Sequence, residues 1–326
     1  MNRPAAAAAL LASIVLGCTA PDAHPAPHAV VHDSRIAMGT LLELTLVTGD
    51  ASLADECYAR VEALERVVSR WRPASETSRL NAGAGSWQPV SPALLELLRT
   101  AKRLHRATDG AFDVTVGPAI ALWKDAAARG RPPTAIELAA AHDAIGAQRI
   151  GIGAGRARLA HAMSIDLGGL AKGWALDRLE PWLRARGVEH ALLDFGGSSL
   201  LAIGAPPDGP AWRVLVQAGE GAGGVLSFAD RHVSVSASLG QSTMIGSARH
   251  GHVIDPRTAR TVDREAVAIA VGPRGADAEA FSTALLVEGR ALVAAAEAAG
   301  LAVRLHDGDA VSVSDGFPPF APLADR

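Results

Sequence analysis

The hydrophobic spacing of this chain changes character near residue 190, and that change limits the folds open to it. Before it, apolar residues recur at three- and four-residue intervals, as a half-buried helix requires. Leu53, Cys57, Val61, Leu64 and Val68 mark one face of a helix predicted over 52–71. Ser91-Pro92 supplies an N-cap followed by proline at the first helical position, and opens a helix predicted to reach Thr108, with Gly110 ending it. Pro133-Thr134 opens another short helix, and 170–186 reads as helical with a bend at Pro181. The same half carries a strand at 36–47 and a hairpin over 149–161 that turns at Gly153-Ala154-Gly155. After residue 190, short apolar runs follow one another closely, predicting strands at 190–194, 199–203, 212–216, 224–228 and 232–236. Helices at 276–287 and 290–299 and strands at 301–306 and 310–313 close the chain. Helices gathered in one part and strands in another do not make an alternating parallel unit. The expectation is α+β: one domain with a mixed or mainly antiparallel sheet and flanking helices.

The first residues stand outside that pattern. Met1-Asn2-Arg3 is a short positive start, and Ala5 to Leu16 is an apolar run of signal-peptide length, too short to span a bilayer. It ends Val15-Leu16-Gly17-Cys18, which is similar to the bacterial lipobox, where cleavage precedes the cysteine and lipid is attached to its thiol. Leu16 is larger than the residue usual at its place, and an ordinary signal peptide with an incidental Cys18 is the alternative. The division expected is a signal peptide at 1–17, a lipid-anchored tether at 18–32 and the functional domain at 33–326. The protein is then exported and held at the periplasmic face of a bacterial membrane through lipid on Cys18. Pro21, Pro25 and Pro27 suit the tether. Cys57, within an amphipathic helix, reads as a small buried hydrophobe.

Apolar residues are 49% of the 326, enough for a sizeable core, and the net charge of −3 gives no basic footprint for nucleic acid. Only three lysines occur, Lys102, Lys124 and Lys172. The last lies in Asp166-Leu-Gly-Gly169-Leu-Ala-Lys172-Gly173, where a strand end enters a two-glycine turn and then a helix. Glycine lets a ligand approach the backbone, a helix N-terminus favours phosphate, and lysine adds a point charge. By itself this is a weak phosphate signal, the alternative being a solvated helix lysine, and the spacing is not that of a Walker loop. A second motif is Gly110-Ala111-Phe112-Asp113-Val114-Thr115. A third, His250-Gly-His252-Val-Ile-Asp255-Pro256, offers a general base or phosphate partner more readily than a metal pair, because no third ligand is near in sequence. In a fourth, Glu279 and Thr283 lie four apart and share a helix face, while Asp277 and Thr283 do not. A carboxylate and a hydroxyl are hard ligands suited to Mg²⁺. Spacing alone favours a plainer arrangement, with the threonine bonded back to its own helix and the glutamate solvated.

Taken in order, Met38-Gly39-Thr40, Ser75-Glu76 with Ser78-Arg-Leu-Asn81, the Phe112-Asp113 motif, Asp166 to Lys172, Gly196-Gly197, His252 to Pro256 and the Glu279/Thr283 helix resemble the FAD:protein FMN transferases of the ApbE type. The resemblance runs from about Met38 to Val287. It implies that Met38 and Ala111, Phe112 and Asp113 contact FAD, and that Asp166 and Lys172 bind it near the glycine turn. It implies Mg²⁺ held by the Gly169 carbonyl, the Glu279 carboxylate and the Thr283 hydroxyl, and places His252 beside the diphosphate, with Asp255 a rival as proton acceptor. The reaction implied moves FMN from FAD to a Thr or Ser hydroxyl of an acceptor protein and releases AMP. Acceptors would be flavin-carrying subunits of membrane redox complexes or other exported flavoproteins.

Three departures stand out: Glu279 where the family usually has Asp, Ser198 after the glycine pair where many members have Asp, and Ala237-Ser238-Leu239 where many have a Ser-Gly turn. They leave two other readings, hydrolysis of FAD to FMN and AMP at the same site, and FAD binding without turnover. The anchoring expectation is tested directly: Cys18→Ser should move the protein from the membrane to the soluble fraction and abolish labelling by a radioactive fatty acid. Unchanged fractionation would contradict it.

Overall fold

The computed structural model describes residues 29–216 and 223–323. The signal segment and Cys18 lie outside the described residues. Eight helices are described: α1 (Ser52–Val68), α2 (Glu76–Ala82), α3 (Pro92–Ala107), α4 (Gly117–Arg129), α5 (Ala135–Asp143), α6 (Ala171–Ala185), α7 (Gly275–Glu288) and α8 (Val293–Ala298). The predicted N-cap is in place, and the helix expected after Pro133-Thr134 starts with a cap of its own. Ser91 Oγ accepts from the Leu94 amide at the start of α3, and Thr134 with Glu137 forms a capping box on α5.

The main sheet has eight strands in the spatial order Val30–Ala37, Thr40–Val47, Ala191–Phe195, Ser199–Ile203, Arg231–Ala237, Ala266–Gly272, Ala302–Asp307 and Ala310–Val313. Every neighbouring pair is antiparallel. Side chains alternate across a strand, so the sheet feeds two cores. Leu201 and Ile203 turn to the helices, packing with Leu42, Leu44 and Phe195 against Leu176, Leu179 and Leu183 of α6 and Val61 of α1. Leu200 and Ala202 turn the other way, with Val233 and Ile269, onto a three-stranded sheet that contributes Val216, Leu226 and Phe228. The expected α+β class, antiparallel sheet and flanking helices are the fold observed.

The structure also departs from the sequence reading. The single strand expected at 36–47 is the second half of a hairpin, Val30–Ala37 paired with Thr40–Val47. Met38 and Gly39 make its two-residue loop at φ +50° and +81°, as a twisted hairpin demands. Methionine is a rare occupant of that left-handed position and gives no turn signal. The strand starts at Val30, inside the stretch read as tether. Ala266–Gly272 is buried throughout, so it lacks the alternation that marks a half-exposed strand. The helix expected at 290–299 is a short 3₁₀ turn, Gly289–Leu292, followed by α8.

The contact that orders the helix layer is between α6 and α7. A Cβ on Gly173 would overlap the Gly275 carbonyl group, and one on Gly275 would lie 2.8 Å from Gly173 Cα. The two backbones therefore touch, which only glycine permits. Asp177, one turn further along α6, accepts hydrogen bonds from the Gly275 and Ala276 amides at 2.6 and 3.1 Å and so caps α7 from its neighbour. Gly173→Ala should lower stability by about 2–3 kcal/mol, at the upper end of overpacking costs because backbone rather than a side chain must yield. Chemical denaturation would measure it, and an unchanged stability would contradict the touching crossing.

Candidate functional site

The α6–α7 crossing brings the two distant motifs together. Gly169 lies in the turn before α6, and a Cβ built on it would sit 3.5 Å from Phe112 Cε2 and 3.7 Å from Thr283 Oγ1. Lys172, in the first turn of α6, places Nζ 3.7 Å from Glu279 Oε1. Gly169, Phe112, Lys172, Glu279 and Thr283 thus form one corner, although the last two lie over a hundred residues further along the chain. Asp166 holds the turn in shape. Its Oδ1 accepts from the Gly168 amide at 2.7 Å, and its Oδ2 accepts from Arg70 Nη1 at 2.6 Å.

Glu279 is not the solvated residue that spacing alone favoured. It is 3% exposed. Oε1 accepts from Ser199 Oγ at 2.5 Å, while Oε2 is buried with no hydrogen-bond partner among the described residues. The bond back to the helix is made by Ser282, whose Oγ donates to the Glu279 carbonyl at 3.1 Å. A buried, unpaired carboxylate oxygen costs several kcal/mol unless a cation or donor meets it. The chemistry of the residues therefore fits a hard cation: Glu279 Oε2, the Thr283 hydroxyl and the Gly169 carbonyl are all oxygen donors. Among the described residues no three His, Cys, Asp or Glu side chains cluster as metal ligands, so a histidine-based centre at His250 and His252 has no support.

The second motif divides. Phe112 faces Gly169, and Met38 packs against the same apolar cluster as Ala111 and Phe112. Asp113 turns inward instead, 4% exposed. Its Oδ1 accepts from the Thr115 amide and hydroxyl at 2.7 and 2.6 Å, and its Oδ2 from the Ala147 amide at 2.9 Å. His105 Nδ1 lies 3.1 Å from Oδ2. Burial pushes the Asp113 carboxyl up, but His105, Thr115 and the Ala147 amide outweigh it and hold the group below its ordinary value. Asp113 in turn holds the His105 imidazole above its ordinary value. Asp113 thus braces the loop that presents Ala111 and Phe112, with both oxygens occupied by protein groups.

His252 lines a cleft of about 190 Å³ with Trp123, Lys124, Thr243, His250 and Thr261. Its Nδ1 lies 2.9 Å from the Gln241 carbonyl. A carbonyl only accepts, so Nδ1 carries the proton, and in the neutral ring Nε2 is left as the base. Asp255 is differently placed. Its Oδ1 accepts from the Arg257 amide at 2.9 Å and from Arg257 Nε at 3.1 Å, and Arg257 also pairs with Glu288. That carboxylate pins the turn. Of the two predicted proton acceptors, His252 has the uncommitted ring nitrogen.

Sequence reasoning missed Ser199, Arg70 and Asp177. A lone serine opening a strand carries no signal, and neither does an arginine ninety-six residues before its carboxylate. Asp177 lies four residues beyond the glycine–lysine motif, and its partners become visible only when α7 is packed.

A family model described as the ApbE family matches residues 38–305. The FAD:protein FMN transferase of Klebsiella pneumoniae is 30% identical over 305 residues, covering 86% of each chain. The apo structure of the flavinyl transferase ApbE of Pseudomonas stutzeri superposes with a TM-score of 0.78 at 27% identity, covering 89% of this chain and 96% of that one. The ApbE protein of Thermotoga maritima has the same fold, with a TM-score of 0.80 at 22% identity, covering 89% and 98%.

The Asp113–His105 pair predicts a pH dependence. A depressed carboxyl stabilises the fold above its unfolded value of 3.8, and that contribution is lost as pH falls through the lower folded value. A raised imidazole stabilises below its unfolded value of 6.5, and its contribution is lost as pH rises through the higher folded value. The pair is strongest between these limits. Asp113→Asn should flatten the stability profile at both ends, as read by denaturant unfolding across pH. A variant profile parallel to the original would contradict the pairing.

Proposed function

The chain belongs to the ApbE family, and on that premise we propose that it performs Mg²⁺-dependent transfer of FMN from FAD to a Thr or Ser hydroxyl of an acceptor protein. The class of reaction, flavin nucleotide transfer from FAD to protein, is that of its relatives. The observation that carries the finer reading is the buried Glu279 Oε2 without a partner among the described residues, beside Thr283, Gly169 and Lys172.

Glu279 Oε2, Thr283 Oγ1 and the Gly169 carbonyl would hold Mg²⁺, which when bound would supply positive charge at the FAD diphosphate. The chain's own groups do the rest. Met38, Ala111 and Phe112 contact the flavin, and Lys172 adds charge from the first turn of α6. Asp166 and Arg70 keep the turn open for the nucleotide. His252, with its proton fixed on Nδ1, accepts the proton of the attacking hydroxyl at Nε2. The hydroxyl oxygen bonds to the phosphorus of the FMN half, and the bond from that phosphorus to the bridging oxygen breaks. AMP leaves with the bridging oxygen and its electron pair.

We place the reaction at the periplasmic face of a bacterial membrane, with the protein exported and anchored by lipid on Cys18. This reading is supported by the signal-like run and the Leu16-Gly17-Cys18 sequence. No helix among the described residues is long and apolar enough to cross a membrane. The acceptors proposed are flavin-carrying subunits of membrane redox complexes or other exported flavoproteins.

The test incubates the purified protein with FAD, Mg²⁺ and an acceptor domain, and measures the acceptor's mass and AMP. One FMN adduct per acceptor with matching AMP is expected. His252→Asn should lower kcat about 100-fold or more while leaving FAD affinity nearly intact. Glu279→Gln should lose transfer to a similar extent. AMP with free FMN and no adduct would instead make the protein a hydrolase, and bound FAD with no turnover would make it a carrier.

A further inference from the structure

The two oxygens of Glu279 are treated unequally, and the cause is a residue outside both motifs. Ser199 opens the Ser199–Ile203 strand in the interior of the main sheet. It pairs with Phe195 on one side and Ser234 on the other, so its backbone is held from both sides. It is buried, and its Oγ donates to Glu279 Oε1 at 2.5 Å. Lys172 Nζ approaches the same oxygen at 3.7 Å. Both groups draw on Oε1, and Oε2 is left buried without a partner among the described residues.

The helix turn that bears Glu279 is fixed separately. Ser282 Oγ lies 2.9 Å from Ser234 Oγ and 2.8 Å from Ser236 Oγ, and donates to the Glu279 carbonyl. These hydroxyls stitch α7 to the Arg231–Ala237 strand. What they leave free is rotation of the Glu279 side chain, which has one more rotatable bond than an aspartate and loses more entropy when held in one orientation. Hydrogen bonds to a coordinating carboxylate remove that freedom and set which oxygen is offered.

We infer that Ser199 is a positioning residue for the cation: it locks Glu279 through Oε1 and so presents Oε2 as the single ligand oxygen of this carboxylate. The inference rests on the cation reading of the site given above. It gives the longer carboxylate a reason to be usable, because the extra methylene is taken up by reaching the sheet rather than by projecting into the ligand space.

The test is titration of the purified protein with Mn²⁺ alone, read by electron paramagnetic resonance of the free ion, with thermal unfolding recorded beside it. Ser199→Ala should weaken Mn²⁺ binding about 10- to 100-fold, the usual cost of removing a group that orients a ligand. Ser199→Thr, which keeps the hydroxyl, should stay within about threefold of the original. Ser199→Cys keeps the volume and weakens the donor; it should show the same loss as alanine and serves if the alanine variant does not fold. In a Glu279→Asp background the carboxylate is withdrawn from Ser199, so adding Ser199→Ala should cost much less than in the original chain. Equal losses in the two backgrounds, or Mn²⁺ binding by Ser199→Ala as tight as the original, would overturn the inference while leaving the cation site standing. Failure of the original protein to bind Mn²⁺ would overturn the cation reading and this inference with it.

Discussion

The backbone contact between Gly173 and Gly275 governs the rest of the site. Without it α6 and α7 could not approach closely enough for the turn before α6 to meet the second and third turns of α7. Asp177 completes the crossing by capping α7 from α6. Burial pushes the Asp177 carboxyl up, with His232 and the Ala276 and Gly275 amides opposing. The cap is thus a partly buried carboxylate held by two backbone amides, with His232 Nε2 3.5 Å from Oδ1. One helix contact, made by two residues without side chains, joins sequence segments a hundred residues apart.

Around that crossing the protein sorts its polar groups by duty. Asp113, Asp166 and Asp255 are each occupied by protein donors, and each shapes a loop. Glu279 differs from these carboxylates: it is buried with one oxygen satisfied and the other without a partner among the described residues. Native interiors rarely leave such an atom alone. The imbalance is set among a threonine hydroxyl, a glycine turn and a lysine that approaches the other oxygen, and the proposed cation would relieve it. The proposed chemistry follows the same division: braced loops present the nucleotide, and the few uncommitted atoms, Glu279 Oε2 and His252 Nε2, meet the cation and the proton.

Local physics made much of this legible in the sequence. Ser91 before Pro92, and Pro133 before Thr134, announce helix starts because capping is a short-range matter. Glu279 and Thr283 could be placed on one face because helix geometry is fixed. Whether Glu279 was solvated could not be read, since the groups that bury it come from the sheet and from α6. Met38 hid the hairpin because its left-handed backbone is imposed by the twist of the paired strands, not by methionine. Asp113 matched a flavin-contacting motif, yet its partners Ala147 and His105 are brought in by folding. The general pattern is that sequence reveals which side chains share an element, while packing decides which way a carboxylate turns.

The central claim is that Glu279 Oε2, Thr283 and Gly169 enclose a cation position, and a crystal structure with Mn²⁺ would test it most directly. The account predicts an anomalous scattering peak between α7 and the turn before α6, about 2.0–2.3 Å from Glu279 Oε2, with Ser199 still on Oε1. A peak bound elsewhere, or none at full occupancy of added Mn²⁺, would contradict it.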